Sequence, residues 1–267
     1  MESISLPPYL SQRLAEQAAR LDPAQPTQDV AFPQELLALG ERILEQIDRT
    51  GLSIVYDLVG DLDAVLFALM RLVGQPIQDE KAGPMIMDLK PVRHEMSVET
   101  TSYYSWNEFD YHTDLSYVDE PPDFIAVLCV QPDPNGEGES IFSDVRVSAP
   151  ALSPEAISAL QEPHFTFRAP PHYKGGRVVQ LPILERTPAG ELTLRVRFDR
   201  LEAEGVEAQA ALQELYHTLD QNKVEILLPH HSAYIVDNRR VVHGRSPFTP
   251  TFDERDRHLK RILGMRR

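Results

Sequence analysis

A His-x-Asp pair, His112 and Asp114, and one histidine far downstream, His243, are the residues of this chain best suited to hold a metal. Two imidazoles and one carboxylate form the protein ligand set of a non-haem Fe(II) site that keeps coordination positions open. Arg257 follows the distal histidine by fourteen residues. A guanidinium there suits the remote carboxylate of a 2-oxoacid lying on the metal, because its planar fork matches a carboxylate.

If the chain around His112 is extended, residues two apart share a face. Glu108, Asp110, His112 and Asp114 then point one way, with Trp106 at the end of the row. Several carboxylates and a histidine facing an interior are costly unless a cation sits among them. Alone, His-x-Asp is a weak signal, and a surface strand with a solvated polar face is the simpler reading. The distal segment shifts the balance. Ala233 to Arg245 reads as strand, polar turn and strand ending in His-Gly-Arg, and Arg257 precedes the apolar run Leu259 to Leu263. Taken singly, His243 is also readable as a satisfied buried histidine, and Arg257 as a surface partner of Asp253, Glu254 or Asp256. Taken with His112 and Asp114, the set points to a metal. The further acids Glu108 and Asp110 then call for a cationic group on the substrate. The competing role for Glu108 is an ion pair with a structural arginine such as Arg93 or Arg240.

The elements that must position these residues are legible from periodicity. Leu10 to Leu21 and Glu35 to Ile47 carry apolar residues at helical spacing, with Gly51 as a stop. A short strand, Ser53 to Leu58, precedes a helix over Leu62 to Val73, which Asp61 caps. From about residue 84 the pattern changes to short apolar runs punctuated by Pro, Gly, Asp and Asn. These predict strands at Met85–Leu89, Phe124–Val130, Ser140–Phe142, Phe165–Phe167, Val178–Leu184, Leu192–Phe198, Val224–Leu228, Ala233–Val236 and Leu259–Leu263. Two helices interrupt them, one opened by Ser153-Pro154-Glu155 and one over Val206 to Leu219. The expected fold is mainly β with flanking helices around a jelly roll. Residues 1–83 form an N-terminal helical segment buttressing a core at residues 84–267, in a single domain. The Pro-, Gly- and His-rich stretch from Ala169 to Arg186 reads as a lid or an ordinary surface loop.

Forty-one acids against 26 bases give a formal charge of −15, which disfavours nucleic acid and anionic membrane as partners. The basic run from Arg255 to Arg267 stands apart from that balance. A single cysteine, Cys129, lies in an apolar run; it reads as a small buried hydrophobe and fits a reducing cytoplasm. The N-terminus has no signal-peptide pattern, and no apolar run approaches membrane-spanning length.

Three segments carry a resemblance. Phe109 to Asp114, Asp237 to Arg245 and Asp256 to Arg261 resemble the motifs of TauD/TfdA-type Fe(II)/2-oxoglutarate-dependent dioxygenases, and more closely those of the clavaminate-synthase-like branch. The resemblance covers roughly residues 85 to 267. It implies a double-stranded β-helix core and iron held by His112, Asp114 and His243. It implies 2-oxoglutarate and O2 as cosubstrates, the far carboxylate of 2-oxoglutarate resting on Arg257. Ser140 stands where a hydroxyl usually assists, and Arg261 adds charge nearby. Halogenating relatives have a small residue in place of the carboxylate, so Asp114 argues for hydroxylation; desaturation and cyclisation use the same triad. Substrate contacts implied by the resemblance are Glu108 and, in a later strand, Arg197 and Asp199, each of which is also readable as a solvated surface charge. The expected substrate is a free amino acid, basic or neutral, or a small amine-bearing metabolite. A carrier-tethered amino acid and a non-catalytic metal-binding barrel are the alternatives.

Overall fold

A computed structural model of the chain describes residues 3–92 and 103–267. In chain order the first elements are β1 (Ser3–Ser5), α1 (Pro8–Ala18), α2 (Gln34–Thr50), β2 (Leu52–Tyr56), α3 (Leu62–Val73), β3 (Gln75–Ile77), β4 (Ile86–Leu89), β5 (Phe109–His112), β6 (Phe124–Gln131) and β7 (Ser140–Asp144). There follow α4 (Val145–Ser148), α5 (Pro154–Leu160), β8 (Phe165–Arg168), β9 (Val178–Leu181), β10 (Leu184–Arg186), β11 (Leu192–Leu194) and β12 (Leu201–Ala203). The chain closes with α6 (Val206–Gln221), β13 (Val224–Ile226), β14 (Ala233–Asp237), β15 (Val241–Arg245) and β16 (His258–Met265).

The helices start and stop where the sequence places signals. Asp61 accepts from the amides of Asp63 and Ala64 at the head of α3, and Ser153 accepts from the amide of Ala156 at the head of α5. Helix α2 ends at Gly51, whose φ of 77° is the left-handed cap that glycine adopts without steric cost.

Two sheets form the jelly roll. The larger has the order β1-β2-β14-β6-β16-β3, with β4 also pairing β16; the smaller has the order β13-β7-β15-β5. The larger sheet is buried on both faces. On β6, Phe124, Ala126 and Leu128 join the core shared with α1, α2 and α3. The alternate residues Ile125, Val127 and Cys129 face the interior with Tyr111, Phe142 and Val242 of the smaller sheet. The N-terminal segment is thus more than a helical buttress, because β1, β2 and β3 are strands of the larger sheet. Only the second of these was expected. The others are three-residue strands, too short for periodicity to register, and pairing with a neighbour makes them.

Two expected strands differ for a local reason. Val178–Leu184 divides into β9 and β10 around Pro182, which lacks an amide to donate. Leu192–Phe198 ends at Leu194 as a strand; the next residues leave the hairpin and run beside β5, where Thr113 donates to the Val196 carbonyl at 2.8 Å and Arg197 bridges His112. The segment from Ala169 to Arg186 is largely tied down. Tyr173 is buried edge-on to Tyr117 at 4.9 Å, and Arg177 pairs with Asp119.

The pairing of β15 with β5 carries an irregularity that matters for the site. His243 stands opposite His112, but Arg245 stands opposite Phe109. Two steps on β15 span three on β5, so β5 holds one extra residue, a bulge. Gly244 lies at this point, and a Cβ there would come within 2.8 Å of the Phe109 carbonyl oxygen. Gly244→Ala is therefore expected to destabilise the protein by about 1–3 kcal/mol, the usual cost of overpacking, read as a lowered Tm. A Tm within error of the parent would show that the strands separate there without cost.

Candidate metal centre

Both histidines come from one strand pair of the smaller sheet, held in register by the β15–β5 ladder. Asp114 comes from the turn that β5 enters. The chain then swings away at Leu115, whose φ of 54° is a strained value for a branched side chain, of a kind that clusters at functional sites. One atom each of His112, Asp114 and His243 lie within 4.8 Å of one another, and all three residues are buried. Asp114 Oδ1 is 3.5 Å from His112 Nε2 and 3.7 Å from His243 Nε2. The same oxygen is buried without a hydrogen-bond partner. These separations are too long for good hydrogen bonds and leave room for a cation among the three atoms. The donor set, two nitrogens and one oxygen, fits Fe(II) with open positions.

The protonation states suit ligation. The Asp110 carbonyl lies 2.9 Å from His112 Nδ1 and fixes a proton there, leaving the Nε2 lone pair toward Asp114. Burial, with His112 next in weight, pushes His243 down to about 3, so it is neutral near pH 7. Burial by itself raises an aspartate. Against it, the Arg261 guanidinium and then the two histidines hold the Asp114 carboxyl well below its usual range.

Asp114 is gripped from two sides. Arg261 Nη1 donates to Oδ2 at 2.7 Å. Asn238 accepts from the Asp114 amide at 2.7 Å, and its own amide group donates to the Asp114 carbonyl at 3.1 Å and to the Pro122 carbonyl at 2.8 Å. One oxygen is thereby spoken for and the other turned to the histidines. Arg261, expected to add charge near a cosubstrate, lines the cavity and is paired with the Asp114 carboxylate; burial would lower its own pKa, but Asp114 more than offsets that.

A cavity adjoins the three residues, lined further by Tyr103, Phe109, Ser140, Tyr234, Arg245 and Arg257. Arg257 is 8% exposed. It forms no hydrogen bond and no ion pair with any described residue. Its neighbours are the Phe248 ring, 5.9 Å from the guanidinium carbon, with Tyr234, Cys129 and Asp133. The surface pairing with Asp253, Glu254 or Asp256 is not found. Gly138, at φ 72°, passes close by, and a Cβ there would be 3.1 Å from Arg257 Cδ. Ser140 lines the same cavity as Tyr234, and Arg245 donates to the Asn107 carbonyl at 2.5 Å.

The expected row of acids does not form. Because of the bulge, Phe109 turns onto the site and stacks on His112 with ring centres 4.0 Å apart. Neither Glu108 nor Asp110 lines the cavity. Glu108 is exposed, and half-buried Asp110 accepts from the Tyr111 amide at 2.7 Å. Burial raises the Asp110 pKa, assisted by the charges of Glu108 and Asp199. Trp106 packs edge-on to Phe252 at the surface. Arg93 lies outside the described residues, and Arg240 is committed to Asp144. Arg197 is buried and clasps Asp199 through two hydrogen bonds of 2.9 and 3.2 Å.

Sequence reasoning assigned no role to Asn238, Tyr234 or Phe109. Asn238 was visible as the second residue of a polar turn, a place where side-chain amides bond backbone. The other two read as ordinary core aromatics.

Comparison with known proteins follows this geometry. The family model for taurine catabolism dioxygenase TauD, TfdA family, matches residues 17–263. The chain is 34% identical over 205 residues to an L-asparagine oxygenase of Streptomyces coelicolor, covering 75% of this chain and 60% of that protein. It is 25% identical over 210 residues to clavaminate synthase 2 of Streptomyces clavuligerus, covering 74% and 63%. The matched parts span less than two thirds of those relatives. A crystal structure of asparagine oxygenase in complex with Fe(II), 2S,3S-3-hydroxyasparagine and succinate superposes with a TM-score of 0.86 at 24% identity, covering 99% of this chain and 94% of that one.

Asn238→Ala removes a clamp on the carboxylate ligand and is expected to lower Fe(II) affinity about 10- to 100-fold. Anaerobic calorimetry measures it. His112→Ala and His243→Ala should abolish stoichiometric binding, and full-affinity binding by either would exclude the triad.

Proposed function

The chain belongs to the taurine catabolism dioxygenase TauD, TfdA family, and on that premise we propose that it is an Fe(II)- and 2-oxoglutarate-dependent oxygenase that hydroxylates a C–H bond of a free amino acid or small amine-bearing metabolite. The observation that carries this reading is Arg257. A buried guanidinium with no hydrogen bond or ion pair to a described residue is costly, and it stands on the cavity of the metal triad. A dicarboxylate cosubstrate answers both needs. A non-catalytic metal-binding barrel has no use for such an anchor.

Each residue then has a definable task. His112, Asp114 and His243 would hold the metal, and with only three protein ligands they would leave it accessible to a cosubstrate. Bound iron supplies the oxidising chemistry, with 2-oxoglutarate giving succinate and CO2. Arg257 binds the far carboxylate of 2-oxoglutarate. Ser140, on the wall of the same cavity, offers a hydroxyl as a second polar contact. Arg261 and Asn238 keep the Asp114 carboxylate in place. Phe109, stacked on His112, covers the imidazole and keeps water off that side. The expectation of a basic substrate side chain rested on Glu108 and Asp110 facing the metal, and the bulge in β5 removes that support. The amino-acid class itself is favoured by the relatives, among them an L-asparagine oxygenase.

The direct test is Fe(II)- and O2-dependent formation of succinate from 2-oxoglutarate, stimulated by one member of an amino-acid panel and matched by a product one oxygen atom heavier. Loss of a desolvated charge-assisted pair costs about 2–5 kcal/mol. Arg257→Ala should therefore raise the apparent 2-oxoglutarate constant by roughly one to several orders of magnitude, with little change in Fe(II) affinity. An unaltered 2-oxoglutarate constant would move the anchor to another arginine.

A further inference from the structure

A buried charge of the opposite sign stands near Arg257 and is itself only half satisfied. Asp133 is 7% exposed. Its Oδ1 accepts from the amides of Asn135 and Glu137 at 2.9 and 3.2 Å, closing the turn that follows β6. Its Oδ2 is buried and makes no hydrogen bond among the described residues. A desolvated carboxylate oxygen without a donor is costly unless a cation stands nearby.

The fold places that cation. His258 stands opposite Gln131 in the ladder of β16 and β6. Antiparallel pairing carried one step outward brings Arg257 alongside the residues that follow Gln131, and Asp133 is the second of them. The turn that Asp133 closes leads on to Gly138, where an added Cβ would stand 3.1 Å from Arg257 Cδ and 3.2 Å from Nε. One short loop therefore bends around the Arg257 stem, with Asp133 at its start and Gly138 at its end. Burial lowers the pKa of Arg257; Tyr234, Cys129 and Asp133 oppose that, and of these three Asp133 alone is a carboxylate. Yet no hydrogen bond or ion pair joins the two side chains. The turn amides hold Oδ1, so the carboxylate is kept in its loop, near the guanidinium and not upon it.

We propose that Asp133 is a positioning residue acting through Arg257: a fixed counter-charge that limits how tightly the anchor holds a dicarboxylate. This rests on the oxygenase reading above, which supplies what Arg257 binds. Conversion of 2-oxoglutarate to succinate removes C1 as CO2 and leaves the far carboxylate untouched. The group that holds the cosubstrate therefore also holds the product. A buried guanidinium with no opposing charge would retain both. A ligand carboxylate on Arg257 shares its surroundings with Asp133, and a like charge nearby disfavours it. Asp133 weakens the hold on the arriving and the departing dicarboxylate alike, while a ligand without the far carboxylate does not feel it.

Anaerobic calorimetry of the Fe(II)-loaded protein compares parent with Asp133→Asn, which keeps an oxygen acceptor for the two turn amides and loses the charge. The ligands are 2-oxoglutarate, succinate and 2-oxopentanoate, in which a methyl group replaces the far carboxylate. The variant is expected to bind 2-oxoglutarate and succinate each about three- to thirtyfold more tightly, the scale of one unit charge removed in a partly screened site. Affinity for 2-oxopentanoate and for Fe(II) should stay as in the parent. Equal or weaker binding of 2-oxoglutarate by the variant overturns the proposal, as does an equal gain for 2-oxopentanoate. A lowered Tm with unchanged dicarboxylate constants also overturns it, since Asp133 would then serve only its turn. If Asp133→Asn does not fold, Asp133→Ser, whose hydroxyl also accepts from a turn amide, is read by the same comparison. A parent that binds Fe(II) but no 2-oxoglutarate sinks the oxygenase reading and the role of Asp133 together. A parent that binds 2-oxoglutarate beside a variant that gains nothing sinks only the role of Asp133.

Discussion

The site depends on one buried carboxylate that is held by one oxygen and left open at the other. Asp114 lies in a cavity where its charge is costly, and Arg261 neutralises it through a 2.7 Å hydrogen bond to Oδ2. The consequence is directional. With Oδ2 engaged and the backbone clamped by Asn238, Oδ1 has no partner and faces two imidazole nitrogens. A buried acceptor left without a donor is the arrangement that a cation relieves. Removing Arg261 would leave the charge to the metal alone, and removing the metal leaves it to Arg261 alone.

The fold can be understood as the means of holding that carboxylate. Arg261 rides on β16, which lies inside the larger sheet between β6 and the β3 and β4 edges. Asn238 sits in the turn between β14 and β15, one strand from each sheet. His112 and His243 belong to neighbouring strands of the smaller sheet. The two sheets must therefore be at their proper separation before the four residues meet. The helices α1, α2 and α3 contribute indirectly, by covering the outer face of the larger sheet with the core that includes Phe67, Leu66 and Ile43.

Four arginines stand in or beside the site, and three of them differ in their commitment to a carboxylate. Arg261 is bound to Asp114, Arg197 is half committed to Asp199, and Arg257 is bound to no carboxylate among the described residues. Buried cations without anionic partners are unfavourable. Arg245 shows the strain, its pKa pushed down to about 9 by burial and then by Arg257. Anionic ligands relieve that strain, so the cavity is electrostatically prepared for dicarboxylates and carboxylates in a chain whose overall charge is −15.

The sequence by itself determined the ligand types and the long elements. His112, Asp114 and His243 were legible because metal chemistry restricts residue type and order more than it restricts conformation. The caps at Asp61, Ser153 and Gly51 were legible because they act within three or four residues. What faces the site was decided by tertiary structure. Glu108 and Asp110 would share a face with His112 on a regular strand, but the register forced by β15 inserts an extra residue in β5 and turns Phe109 there instead. A period-two reading has no means of detecting a bulge, because the extra residue is set by the partner strand. The pairing of Arg261 with Asp114, 147 positions away, and of Asn238 with the same residue, 124 away, belongs to the same class. These contacts exist only once β16 and the β14–β15 turn have been brought against β5, and no local pattern in the chain records that approach.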